Sequence, residues 1–514
     1  MTAADAGVAD LLIIGGGING TGIARDAAGR GLKAIVVERS DLASATSSAS
    51  TKLIHGGLRY LEYYEFRLVR EALSEREVLL KAAPHIIWPL RFVLPHEKSL
   101  RPAWMIQIGL FLYDHLGGRK LLPASKRVSL TRAPYSSGLK PGGHEIGFEY
   151  SDCWVNDARM VALNAMDARE RGAEILTRTS CIAARRESGN WVAELEAADG
   201  TRRTVRAKAL VNATGPWAGE FVSRQLGRNE AATLRLVKGS HIIINRLYEG
   251  EHAFILQNAD RRIVFTIPYE GRFTLVGTTD VPYEGDPAKV AISDDETRYL
   301  CDVVNRYFAK AITPADVIWS YSGVRPLFDE GGSESASAVS RDYVLELEDE
   351  GGNAPLLNVF GGKITTFRRL AEHALQKLKP FFPEARGDWT KGAHLPGGDI
   401  AHADFESFAA EQMRRYAWLT PAHVRRLARA YGTRIGRVIG EARSIGDLGR
   451  HFGGDLYEAE LRYLRDQEWA QSADDVLWRR SKLGLHVPAG TGDALRAWFA
   501  DQGRAAAHNT AASS

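Results

Sequence analysis

Short apolar runs that stop at glycine, separated by amphipathic stretches, set the rhythm of the first four hundred or so residues of this chain. Residues 10–14 (DLLII) halt at Gly15 and predict a buried parallel strand. A small-residue helix follows over about 21–30, with Gly31 placed to stop it. Residues 33–38 (KAIVVE) predict a second strand ending in an acid, which completes a βαβ half-unit. The Ser/Thr/Ala-rich run 40–51 has no apolar period and reads as loop or helix start, whereas 62–83 predicts a helix ending near Pro84. Residues 185–210 alternate β-like runs with polar turns and close in ALVNATG (209–215), a strand entering a glycine turn. Residues 241–244, 262–267 and 273–277 predict antiparallel strands of a second sheet. A further buried strand, 356–360, meets Gly361 and Gly362. The helix expected from Lys363 puts Ile364, Phe367, Leu370, Ala371, Leu375 and Leu378 on one face, with Pro380 at its end.

After about Asp388 the pattern becomes helical and rich in Arg, Glu, Ala and Leu, with no internal repeat. The expected organisation is α/β and α+β. It comprises a flexible N-terminus (1–9) and a Rossmann-like domain built on that βαβ half-unit (about 10–80, 150–225 and 355–380). Interleaved with the latter, within 10–387, is an antiparallel-sheet substrate domain (about 81–149 and 226–354). A helical C-terminal domain (388–504) and a disordered tail (505–514) complete it.

Composition narrows the classes. The 514 residues, 45% hydrophobic and 25% charged, suit two to four globular domains and exclude wholesale disorder, a collagen-like chain or a disulfide-stapled miniprotein. A net charge of +3 gives no case for nucleic acid. Cys153, Cys181 and Cys301 lie far apart without a CxxC or Cys/His cluster, so no metal site and no disulfide framework is expected, in keeping with a reducing cytosol. The first ten residues lack a signal-peptide pattern, and no run of about 20 apolar residues predicts a spanning helix. Attachment to a membrane surface stays open.

The first candidate chemistry is Gly15-x-Gly17-x-x-Gly20 between a strand and a helix, with Ile18 and Asn19 inside it and Glu38 at the end of the next strand. Gly15 permits the turn, Gly17 lets backbone approach a pyrophosphate, Gly20 allows close helix–strand packing, and the helix N-terminus favours the phosphates. Glu38 can accept bonds from both ribose hydroxyls of an adenosine. The motif alone does not separate NAD from FAD. Two later strand-to-glycine turns, at Gly215 and at Gly361–Gly362, suit one long cofactor touched by distant segments, which favours FAD.

Eight blocks then carry a resemblance: GGGING (15–20), ATSSASTK (45–52), LIHGGLRY (53–60), NATGPW (212–217), KGSH (238–241), GTTD (277–280), SGVRP (322–326) and FGGK (360–363). Together they resemble the aerobic, FAD-dependent sn-glycerol-3-phosphate dehydrogenases of bacteria, within the D-amino-acid-oxidase-like flavoprotein group, over about 8–500. The resemblance implies oxidation of sn-glycerol 3-phosphate to dihydroxyacetone phosphate, by hydride transfer from C2 to flavin N5. It also implies electrons passed to a quinone, peripheral attachment to the inner face of the cell membrane, and a homodimer.

By similarity to the family's pocket, Arg59, Arg325, Arg341 and Lys363, with Tyr60, are the phosphate-binding candidates, guanidinium forks being suited to phosphate oxygens. A base for the C2 hydroxyl is expected among the motif histidines, His55 or His241, and Arg325 could also stabilise a developing alkoxide. Thr46, Ser47, Ser48 and Lys52 are candidates for the FAD pyrophosphate or ribitol, with Gly56 and Gly57 beside them. No cysteine lies in these blocks, so the FAD is expected to be non-covalent. Two regions offer lipid contact: the apolar stretch 104–113, whose plainer reading is a buried helix, and the arginine-rich stretch 425–437, whose plainer reading is a solvated face. The alternatives are a glycerol-3-phosphate oxidase using O2, an amino-acid oxidase of the same fold group, and a flavin-binding protein without turnover.

Overall fold

The computed structural model describes residues 7–97, 102–118, 121–227, 234–258, 260, 262–328 and 342–511. Two sheets organise the first 380 or so. In the nucleotide sheet, strands Asn353–Phe360, Arg202–Asn212, Ala9–Ile14, Ala34–Val37 and Glu174–Leu176 run parallel in that order. Ala9–Ile14 is central and its last four residues are fully or nearly buried, which is why it reads as an unbroken apolar run. Strand Val344–Glu350 adds antiparallel to one edge, so this part of the expected substrate unit belongs to the nucleotide sheet.

The second sheet has the order Val281–Pro282, Leu234–Asn245, Phe273–Gly277, Ile263–Tyr269, Ala253–Gln257, Ile87–Pro95, Ile146–Val155 and Leu53–Ile54, with Val317–Phe328 also paired to Leu234–Asn245. All its pairings are antiparallel except Ala253–Gln257 with Ile87–Pro95. Its register sets His241 opposite Tyr321, Gly239 opposite Gly323 and Val237 opposite Arg325, so these residues share one sheet face.

Helix Asp157–Glu170 is enclosed: its first twelve residues are buried, including Asp157, Arg159, Asn164 and Asp167. With no solvent face it carries no amphipathic stripe, and the sequence pattern did not mark it. It packs between the nucleotide unit and the C-terminal helices. Arg159 donates to both Glu468 oxygens, and Arg480 donates to both oxygens of Asp41 at 2.8 and 2.9 Å. One apolar core runs through both units.

Two expectations change, and a third gains its partners. Helix Ala103–Leu116 buries only Leu110 and Tyr113; Trp104, Met105, Ile108, Phe111 and Leu112 are exposed, so it is not the buried helix its composition favours. The arginine-rich stretch is consumed by ion pairs: Arg425 and Arg429 with Glu406, Arg426 with Glu460, Arg434 and Arg437 with Glu170. The last helix, Thr491–Ala511, continues through residues expected to form a disordered tail, its alanine content supporting helix. Among the described residues no helix is long and apolar enough to cross a membrane.

Candidate active site

A cavity of about 820 Å³ opens along the carboxyl ends of the parallel strands and extends to the face of the second sheet. At its nucleotide end the glycines act as the sequence predicts. Gly15 has φ +115°, and a Cβ there would lie 2.4 Å from the Ala213 carbonyl oxygen. A Cβ on Gly20 would lie 1.9 Å from the Gly15 oxygen, so Gly20 serves packing and stands behind the wall. Helix Ile18–Gly29 begins at Gly17 with no side-chain cap, presenting its N-terminus to the cavity. The Glu38 carboxylate accepts the Gly16 and Ser40 N–H groups at 2.7 and 2.8 Å; burial raises its pKa and these bonds oppose the rise.

Ile18, Asn19, Thr46, Ser47, Ser48, Gly215, Gly361 and Gly362 also line the cavity. Ser47 Oγ accepts the Ile18 N–H at 3.0 Å, and Thr46 Oγ1 donates to the Val324 carbonyl at 2.7 Å, tying the serine-rich loop to both units. Asn19 donates to the Gly361 carbonyl at 3.1 Å, while its Oδ1 is buried and has no protein partner among the described residues. An orphaned acceptor, a glycine cradle and a helix N-terminus on one cavity wall fit a dinucleotide.

Towards the other end, where Gly323 lines the cavity, three glycines let the second sheet pack closely. Gly239, Gly277 and Gly323 lie where a Cβ would strike Thr278, His241 and Ala49 at 2.7, 2.1 and 2.8 Å. Arg325 rises from this face and donates to the Thr279 carbonyl and to Asp280 at 3.2 and 3.1 Å. Val324 and Pro326 on either side of it line the cavity. Lys363 directly follows Gly362 and holds its ammonium 3.9 Å from the Tyr60 ring centre. The backbone of Arg59 lies in the 3₁₀ turn Leu58–Tyr63; its side chain and all of Arg341 lie outside the described residues.

The two histidines part company. His241 is 2% exposed, stacks on Tyr321 and bonds Thr51 Oγ1 through Nε2 at 3.0 Å. Burial, then the Lys52 and Arg325 cations, pushes its pKa down to about 3, so it stays neutral near pH 7. His55 lies in the loop leading to Tyr60, its N–H donating to Thr365 Oγ1 at 3.3 Å.

Lys52 does not reach the cavity. Its ammonium turns inward, 2.9 Å from both Asp157 oxygens and 3.0 Å from the Ser48 carbonyl, because a buried carboxylate is the stronger partner. It supports the Thr46–Ser48 turn from behind. Gly56 and Gly57, expected beside the cofactor, are buried against Leu73, Tyr113 and Tyr60 and do not line the cavity.

The sequence reading missed the C-terminal contribution. Asp474, Trp478, Arg479 and Lys482 line the cavity, and Trp478 stacks on Trp319 at 4.1 Å. It also missed Arg39 over the Trp217 ring at 4.1 Å, at the nucleotide end. No local pattern marks these residues; contact across hundreds of positions brings them together.

Residues 10–368 match the family model of FAD dependent oxidoreductases, and residues 389–499 match that of the C-terminal domain of alpha-glycerophosphate oxidase. The chain is 55% identical to a D-erythritol 1-phosphate dehydrogenase of Brucella abortus, over 95% of this chain and 97% of the relative. It is 57% identical to a glycerol-3-phosphate dehydrogenase of Pseudomonas aeruginosa, over 93% of each. The solved glycerol-3-phosphate dehydrogenase of Bacillus halodurans, complexed with FAD, superposes with a TM-score of 0.78 at 27% identity, covering 97% of this chain and 91% of that one. A glycine cradle shaped for a dinucleotide and both family matches agree: the chain belongs to the FAD-dependent oxidoreductases of the D-amino-acid-oxidase-like group, with FAD as its cofactor.

Proposed function

We propose that this chain oxidises sn-glycerol 3-phosphate to dihydroxyacetone phosphate and passes the electrons to a quinone at a membrane surface. The observation that supports the reading is that Arg325 stands between the cavity-lining Val324 and Pro326, and that Lys363 directly follows the cavity-lining Gly362. Fixed cations there suit a phosphate dianion better than an amino acid's single carboxylate. FAD supplies a two-electron acceptor for the hydride leaving C2.

The chain's own residues bind, orient and move one proton. Arg325 and Lys363, with Arg59 and Arg341 as further candidates, hold the phosphate. Tyr60, pinned under the Lys363 ammonium, borders the bound polyol. His55 takes the C2 hydroxyl proton; His241, buried and hard to protonate, orders the sheet face by its contacts with Thr51 and Tyr321.

The exposed apolar residues of helix Ala103–Leu116 would lie in the interfacial layer of a bilayer, where an apolar quinone is met. The arginines of 425–437, each engaged by a carboxylate, leave this role to the helix.

Anaerobic addition of glycerol 3-phosphate to the yellow holoenzyme should bleach the flavin band, and a quinone should restore it. D-erythritol 1-phosphate and glycine serve as comparators. A holoenzyme indifferent to glycerol 3-phosphate refutes the reading, and peroxide formed in step with substrate consumed makes the enzyme an oxidase.

A further inference from the structure

Two of the eight sequence blocks, KGSH and GTTD, meet at a carboxylate that belongs to none of the eight. Helix Asp294–Tyr307 packs on the second sheet from the side away from His241 and Arg325. Ile242 joins its Leu300 and Val304 in one apolar cluster, and side chains alternate along strand Leu234–Asn245. Glu296, in the first turn of this helix, is buried. Its Oε2 accepts the Ser293 N–H at 2.9 Å, which closes a capping box, and the Lys238 ammonium at 2.7 Å. Its Oε1 accepts the Ser240 and Thr279 hydroxyls at 2.9 and 2.6 Å, and both of those residues are fully buried. Burial alone would raise the Glu296 pKa, but these bonds, Lys238 first, hold it below the ordinary glutamate value. Capping accounts for the Ser293 bond; Lys238, Ser240 and Thr279 belong to the sheet.

Thr279 has two sides. Its Oγ1 also accepts the Ser240 N–H at 2.9 Å, which fixes the residue against the strand, while its carbonyl accepts Arg325 Nη2 at 3.2 Å on the opposite face. Asp280, next in the chain, accepts from the same nitrogen at 3.1 Å. Gly239 makes room for this arrangement: a Cβ there would lie 3.0 Å from Arg325 Nη2. One threonine therefore joins a buried carboxylate behind the sheet to the guanidinium in front of it.

The geometry points to Glu296 as a positioning residue that, through Thr279, fixes the direction in which Arg325 presents its guanidinium to the substrate phosphate. This rests on the reading of Arg325 as a phosphate ligand. Glu296 does not line the cavity, so its effect on substrate passes through the residues it holds. A long guanidinium side chain gives up less freedom on binding when its acceptors are fixed before substrate arrives. The Thr279 carbonyl and Asp280 are those acceptors, and the hydroxyl bond to Glu296 is directional, so it sets where they stand.

The test uses the FAD-loaded enzyme, glycerol 3-phosphate and a soluble dye as electron acceptor, with FAD content and thermal unfolding measured for every variant. Glu296→Gln should keep FAD and raise KM about fivefold with kcat little changed, the scale of one net hydrogen bond. Thr279→Val should do the same, and Thr279→Ser, which returns the hydroxyl, should recover most of the loss. This second pair carries the test should Glu296→Gln fail to fold. The discriminating arm is a double variant. Because Glu296 acts through Arg325, adding Glu296→Gln to Arg325→Lys should leave KM within about twofold of Arg325→Lys alone, whereas independent structural losses would multiply. Multiplying factors overturn the positioning role. So does an unchanged KM in Glu296→Gln and Thr279→Val at full FAD loading, whether or not kcat falls. An Arg325→Lys enzyme with the wild-type KM overturns the phosphate reading of Arg325 and the positioning role with it.

Discussion

Replacing Lys52 by methionine removes a cation whose side chain is 1% exposed, against an Asp157 side chain that is 0% exposed. Asp157 would keep only the Ser50 and Ala158 donors, and Ser48 would lose the donor to its carbonyl. Breaking a buried pair by removing one partner costs about 3–5 kcal/mol, because the remaining charge stays desolvated. Neutralising both partners in Lys52→Met/Asp157→Asn should recover stability to within about 1–2 kcal/mol of the wild type. Unfolding followed by circular dichroism at saturating FAD reads the stability term, and flavin fluorescence reads cofactor release. Because the Thr46–Ser48 turn lines the cavity, FAD affinity of the single variant should fall about tenfold, equivalent to about 1.4 kcal/mol.

The pH dependence supplies the sign. In the wild type burial opposes ionisation of Asp157, but Lys52 outweighs it and the pKa lies below the ordinary aspartate value. That stabilisation is present above the unfolded pKa of about 4 and is lost as pH falls through the folded one. In Lys52→Met the largest effect opposing burial is gone and only Lys482 and the Ser50 bond still oppose it, so the pKa moves up and the penalty, full at pH 7, shrinks towards pH 4. A loss under about 1 kcal/mol at pH 7, or a double variant no better than the single, refutes the assignment of Lys52 as a buried counter-ion.

Other consequences are equally direct. Gly20→Ala places a methyl 1.9 Å from the Gly15 oxygen, so purified protein should be colourless and bind FAD at least about tenfold more weakly, measured by flavin titration. Arg325→Lys replaces a planar fork by a point charge. KM for glycerol 3-phosphate should rise about tenfold to a hundredfold with FAD content unchanged, and FAD loss at unchanged KM would refute the role. Burial, then Lys52, lowers the Lys482 pKa to about 7, whereas the unfolded chain keeps that proton to about 10. Wild-type stability should therefore rise by about 2 kcal/mol between pH 7 and 9 relative to Lys482→Met, and parallel pH curves for the two proteins would show that Lys482 is not the titrating group.

The nucleotide end of the site was legible in sequence because its determinants are local. A strand, a glycine turn, a helix and the Glu38 strand complete themselves within 30 residues, and the packing role of Gly20 follows from Gly15 five positions away. The apolar face from Phe367 to Leu378 was legible for the same reason. What tertiary structure decided lies where burial hides periodicity or where distant segments meet. Helix Asp157–Glu170 has no polar stripe because it has no solvent face. Lys52 resembles a phosphate ligand until a carboxylate 105 residues away claims it. The arginines of 425–437 resemble a lipid-binding row until Glu406, Glu460 and Glu170 reach them, and residues 104–113 resemble core until the fold leaves their outer face bare. Local chemistry dictates which turns a chain can make; which partner a charge or an apolar face finally meets depends on packing between elements far apart in sequence, and no residue carries that information alone.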